Sequence, residues 1–116
     1  PVSEQEFLLH VKKSMQAGVV RHTRLIGKKV KKVAICGGSG SFLLKHAKKA
    51  GADVFVTADF KYHEFFDAEG TLVIADIGHF ESEQFTGELI HSLILEKFTT
   101  FAVRLTGVNT NPLQYL

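Results

Sequence analysis

With a single cysteine, Cys36, the 116-residue chain has no internal disulfide, so its stability must come from packing, which suits a reducing, cytoplasmic setting. Cys36 lies in a predicted strand, where a small apolar side chain serves the core; a nucleophilic role would need an electropositive pocket that the sequence does not specify. No apolar run is long enough to span a bilayer, and Pro1-Val2-Ser3-Glu4 contains neither a basic leader nor a hydrophobic signal region. Net charge is low as well. At +2 it gives no argument for nucleic acid, and the run Lys28, Lys29, Lys31, Lys32 has no interleaved aromatics on which bases could stack. No membrane or nucleic-acid partner is therefore expected.

What the chain does have, 45% hydrophobic and 22% charged residues, is the composition of one ordinary folded domain. Ser3 and Glu6 form a capping box for a helix with Phe7, Leu8, Val11 and Met15 on one side, closed by Gly18. Val19–Leu25 reads as a strand, Gly27 as a basic turn, and Val33–Cys36 as a buried strand. A helix Phe42–Ala50 ending at Gly51, a strand Val54–Thr57 and a shorter helix Phe60–Ala68 closed by Gly70 follow. A strand Thr71–Asp76, a long helix and a strand Phe101–Leu105 complete the series. Strands alternating with helices predict a layered α/β domain with a mostly parallel sheet. Its ligands should gather beyond the carboxyl ends of the strands.

Three polar segments fall at those ends. In Gly78-His79-Phe80-Glu81-Ser82-Glu83, His79 and Glu83 are four residues apart, which on a helix puts imidazole and carboxylate one turn apart on one face, within reach of a shared metal ion. If the helix is continuous, Phe85, Leu89, Ile90, Leu93 and Ile94 form an apolar stripe that includes His79 and Glu83, with Glu81, Gln84, Glu88, His91 and Ser92 opposite. An inward carboxylate needs a cation, a donor network or a metal. The alternative is a wet first turn in which Glu83 serves only the helix dipole.

Thr57-Ala58-Asp59-Phe60-Lys61-Tyr62-His63 gathers an acid, a base, a phenol and an imidazole; Asp59 either caps the next helix or lines a cleft with His63. Gly37-Gly38-Ser39-Gly40 follows a strand and opens a helix, as a dinucleotide-binding loop does, but Leu43 stands in place of the third glycine and no P-loop lysine is present. It is either a tight turn or an amide cradle for an anionic group.

Taken in order, Val33-Ala34-Ile35-Cys36-Gly37-Gly38-Ser39-Gly40, Thr57 to His63, Gly78 to Glu83 and Asn109-Thr110-Asn111-Pro112 resemble the carboxy-terminal half of the NIF-three-like dinuclear-metal proteins, the GTP cyclohydrolase 1 type 2 homologs. The resemblance implies a two-metal site with His79 and Glu83 among its ligands, the others lying in an amino-terminal half absent from these residues. With Pro1 at the start, the chain is expected to be a single-domain piece of a longer protein that binds metal weakly or not at all by itself. The implied cofactors are two divalent ions, zinc, iron, manganese or nickel. The implied chemistry is metal-assisted hydrolysis of a small molecule such as GTP, with Asp59 or His63 handling water or protons and Gly37, Gly38, Ser39, Gly40 and Tyr62 contacting substrate. The family resemblance also implies a toroidal homohexamer, and the alternative function is a non-catalytic metal-binding scaffold, chaperone or regulatory oligomer.

Overall fold

The computed structural model describes residues 1–116. In chain order its elements are β1 (Val2–Ser3), α1 (Glu4–Ser14), β2 (Arg21–His22), β3 (Lys29–Val30), β4 (Val33–Ser39), α2 (Leu44–Lys49), β5 (Val54–Ala58), β6 (Val73–Asp76), α3 (His79–Glu83) and α4 (Thr86–Lys97). Short 3-10 segments cover Ser41–Leu43 and Tyr62–Ala68. Four strands form one sheet in the order β2-β6-β5-β4, with β4, β5 and β6 parallel and β2 antiparallel to β6. The expected mostly parallel α/β architecture is the one observed.

Strand periodicity accounts for the layers. Val54, Val56, Val73 and Ala75 point to one face, where Leu8 and Val11 of α1 cover them. Phe55 and Ile74 point to the other, under Leu44, Ala47, Phe60 and Leu72. Because both faces are covered, β5 and β6 read as continuous apolar runs, as buried parallel strands must.

Helix α1 begins as predicted: Ser3 Oγ accepts from Glu6 N–H and the Glu6 carboxylate accepts from Ser3 N–H. It stops earlier than Gly18. Gln16 takes the left-handed conformation at φ 51°, with Gln16 N–H donating to Lys13 O and Ala17 N–H to Lys12 O, a Schellman closure without glycine. The predicted strand Val19–Leu25 shrinks to the two residues of β2, and β3 pairs instead with β1.

Two further expectations are corrected. The long helix is broken at Gln84–Phe85, where the Gln84 side-chain amide donates to Met15 O at the end of α1, 2.7 Å away. Phe101–Leu105 is no strand. It runs back along α4, Phe101 stacking on Phe98 at 4.8 Å, Val103 O lying 3.2 Å from His91 Nε2 and Leu105 reaching Gly87, while Phe101 and Leu105 stay largely exposed. No helix is long and apolar enough to cross a membrane.

A buried carboxylate that sequence periodicity did not single out ties the start of α1 to the Gly27 turn. Glu4 Oε2 accepts from the N–H groups of Ile26 and Gly27 at 2.8 and 2.9 Å. Glu4→Ala removes the acceptor of two part-buried donors, and a hydrogen bond to a charged group is worth about 1.5–3 kcal/mol. The expected loss is about 3 kcal/mol in urea unfolding, against a smaller one for Glu4→Gln, which keeps an acceptor.

Candidate metal-ligand site

The carboxyl ends of β4, β5 and β6 converge, and each contributes to one polar row. Asp59 follows β5 at φ 60°, a left-handed conformation that aspartate tolerates at some cost and that is common at functional positions. Its Oδ2 accepts from Ser39 Oγ, at the end of β4, and lies 2.6 Å from His79 Nδ1, at the start of α3. On the other side of the ring, His79 Nε2 is 3.2 Å from Glu83 Oε2. The row therefore runs Ser39, Asp59, His79, Glu83.

Its charges reinforce one another. The hydrogen bond from His79 holds the Asp59 carboxyl below its usual range, with Ser39 adding to the effect, and the same bond to Asp59 raises the His79 imidazole. Since an ionised carboxylate can only accept, Nδ1 is the ring's donor toward Asp59. Deprotonation then leaves the lone pair on Nε2, beside Glu83 Oε2. Two lone-pair donors facing each other repel unless a proton or a cation lies between them. Their 3.2 Å separation matches the roughly 3.0–3.4 Å between two ligands that are each about 2.1 Å from a shared divalent ion. The donor set thus fits half of a metal centre. No group of three or more His, Cys, Asp and Glu side chains is arranged to complete it.

The continuous-helix wheel put this pair in the interior, and that expectation is corrected. His79 and Glu83 are each about half exposed, at 50% and 51% of side-chain surface. The break after Glu83 separates the face of α3 from that of α4; within α3, Glu81, expected on the wet side, is the buried carboxylate, and its Oε2 has no hydrogen-bond partner. Leu89, Ile90 and Leu93 of the supposed inward stripe are exposed.

The glycine segment proves to be the end of β4 rather than a free loop. Gly38, at φ 68°, passes so close to α3 that a Cβ would sit 2.6 Å from Glu83 Oε1. Two amides that an anion would need are already engaged, Gly38 N–H with Ser82 Oγ at 2.8 Å and Gly40 N–H with Ala58 O at 3.4 Å. Gly38 therefore makes room for Glu83 and Gly40 for the Thr57 side chain, roles distinct from the anion cradle considered for Gly37, Gly38, Ser39 and Gly40. His63 and Tyr62 are exposed and stack edge to face on each other, 5.2 Å between centroids, and neither joins the row.

Sequence spacing did not single out Asp76 or Arg21. Asp76, buried at the end of β6, accepts from Arg21 Nη2 at 2.5 Å, from Phe60 N–H at 3.0 Å and, on its other oxygen, from Gly78 N–H at 3.0 Å. The available signal was an acid ending an apolar run, which also fits any helix cap.

Together these features define an α/β protein with a histidine–carboxylate pair at the carboxyl edge of a parallel sheet. A family model described as Duf34/NIF3 (NGG1p interacting factor 3) matches residues 1–112, and the chain belongs to that family. It is 35% identical, over 97% of its length, to a GTP cyclohydrolase 1 type 2 homolog from Staphylococcus aureus, of which it covers 32%. It thus spans about a third of the length of such relatives. The crystal structure of Staphylococcus aureus protein SA1388 superposes with a TM-score of 0.86 at 30% identity, over 99% of this chain and 34% of that one. A Bacillus cereus protein related to NIF3 gives 0.82 at 30% identity, over 99% and 33%.

The charge row predicts a pH signature in metal-free protein. The His79 contribution to stability is complete below the ordinary value of 6.5 and is lost as pH rises through the raised value. The Asp59 contribution is present above 3.8 and is lost as pH falls through the lowered one. The stabilising pair is therefore fullest between these two pH values. An NMR titration of the His79 ring should give a midpoint above 6.5 that drops in Asp59→Asn, and the melting-temperature gap between the two proteins should be widest at about pH 4–6.5.

Proposed function

We propose that this chain supplies the His79 and Glu83 ligands of a dinuclear metal centre in a metal-dependent hydrolase. The single observation that carries this reading is the row Asp59–His79–Glu83. In it a carboxylate holds one imidazole nitrogen at 2.6 Å and leaves the other directed at a second carboxylate. Carboxylate–histidine–metal arrangements use the same arrangement to fix the ring, select its tautomer and raise its basicity. When bound, a divalent ion of the zinc, iron, manganese or nickel class would supply Lewis-acid activation of water near neutral pH.

The protein's own groups have separable roles. His79 Nε2 and a Glu83 oxygen are the ligands. Asp59 takes the Nδ1 proton and orients the ring, so it acts as a positioning residue for the ligand. Ser39 holds the Asp59 oxygen in place. Gly38, lacking a side chain, leaves the space that Glu83 occupies. The raised His79 value means that protons compete with the metal at acid and neutral pH, so affinity should climb as pH rises through it. The name of the relatives supports GTP as the substrate, and the exposed apolar residues Leu89, Ile90 and Leu93 on α4 support burial against further copies in a homo-oligomer such as the expected hexameric ring.

The test uses the complete natural protein, reconstituted and dialysed. Metal analysis should find the bound ion reduced to near background in His79→Ala and Glu83→Ala, and about 10–100-fold weaker binding in Asp59→Asn. GTP hydrolysis should fall in parallel. A full metal complement in His79→Ala would remove the proposed site. Loaded protein without turnover would leave the ligand assignment standing and turn the reading to a metal-binding scaffold.

A further inference from the structure

Outside the metal-ligand row lies a groove of about 580 Å³ between the β2 edge of the sheet and the Tyr62–Ala68 segment. None of Asp59, His79 or Glu83 lines it. One wall is aromatic. Tyr62 and Phe66 pack edge to face at 5.6 Å, and both are largely exposed, at 73% and 67%. Aromatic rings left in contact with water inside a concave wall are apolar surface that a flat ligand can cover.

The opposite wall is cationic. Arg21 lies over the Phe65 ring at 5.2 Å and is committed through Nη2 to Asp76 and Phe60 O. Arg24, also lining the groove, has no salt bridge and no side-chain hydrogen bond. His22 is held through Nδ1 on Thr23 O at 2.8 Å, which leaves Nε2 free. The groove's one acid, Glu69, is paired with Lys48 at 2.5 Å, so it opposes an anion only weakly. A flat apolar wall facing an uncommitted guanidinium is complementary to a ligand that is planar at one end and negative at the other.

We propose that this groove binds a small molecule with a flat aromatic or heteroaromatic ring carrying a carboxylate or phosphate, the ring against Tyr62 and Phe66 and the anion on Arg24. The site does not depend on metal. Its size suits a ligand of two fused rings better than a folded peptide segment, since pockets for small ligands begin near 300 Å³ and are mostly apolar with a few polar anchors.

The test measures binding of 2-naphthoate and of 2-naphthyl phosphate to the protein by calorimetry, with amide shifts in an NMR spectrum to locate them. Both probes should bind and shift Arg24, Tyr62 and Phe66. Arg24→Gln and Phe66→Ala should each weaken binding about tenfold, since a hydrogen bond to a charged group or a stacked ring is worth about that factor. Both residues are exposed, so unchanged melting temperatures check that the variants stay folded. Binding should persist in His79→Ala with chelator present, which separates this proposal from the metal centre. Affinities unmoved by either substitution would overturn it. So would equal affinity for neutral 2-naphthylmethanol, which would indicate an apolar patch alone, or for inorganic phosphate, which would indicate charge alone. Tighter binding of a short peptide containing Asp and Phe than of either naphthyl probe would assign the groove to a protein partner and reject the small-molecule reading.

Discussion

The geometry of the carboxyl edge of the sheet depends on one buried carboxylate, Asp76. Its three donors come from separate segments: Arg21 on the edge strand β2, the backbone of Phe60 just after β5, and the backbone of Gly78 just before α3. The ion pair is the most visible of these contacts and the least decisive, because the Arg21 side chain is 52% exposed and solvent screens it. The two backbone donors matter more. One, Phe60 N–H, is buried, and leaving a buried donor or a charged acceptor unpaired costs about 1–3 kcal/mol, more for the charge. Asp76 thus fixes where Asp59 leaves β5 and where His79 enters α3, and the 2.6 Å contact between those two follows from that placement.

Much of this was legible from residue order. Ser3 and Glu6 announced the start of α1, Gly51 the end of α2, and the apolar runs at Val54 and Thr71 the two central strands, because capping and burial on both faces are local demands that a sequence must meet locally. His79 and Glu83, four apart, do lie side by side. Legibility failed where a distant partner decided the outcome. Gln84 reaches Met15, sixty-nine residues earlier, and the helix breaks there, so the apolar residues after it face outward while Glu81, before it, is buried. A helical wheel has no access to that contact. Gly38 shows the same limitation: a glycine needed because Glu83 approaches from another element looks, in sequence, like a glycine needed for a turn.

The exposed face of α4 and the His79–Glu83 pair pose the same physical problem. Parallel sheets collect ligands at their carboxyl edge because helix and strand ends present polar groups there, but two facing donors cannot satisfy a divalent ion that wants at least four. In this chain the His79–Glu83 pair and the exposed apolar face of α4 are both surfaces whose physical cost falls when something else covers them. For His79 and Glu83 a proton does so in acid; above the raised imidazole value the bare pair becomes repulsive, and a cation becomes the stabilising alternative. The Asp59 contact strengthens both options at once, since it makes the ring a better base and therefore a better metal ligand. Its depressed value keeps Asp59 itself ionised throughout that range, so the ring's orientation persists whichever occupant lies between Nε2 and Glu83.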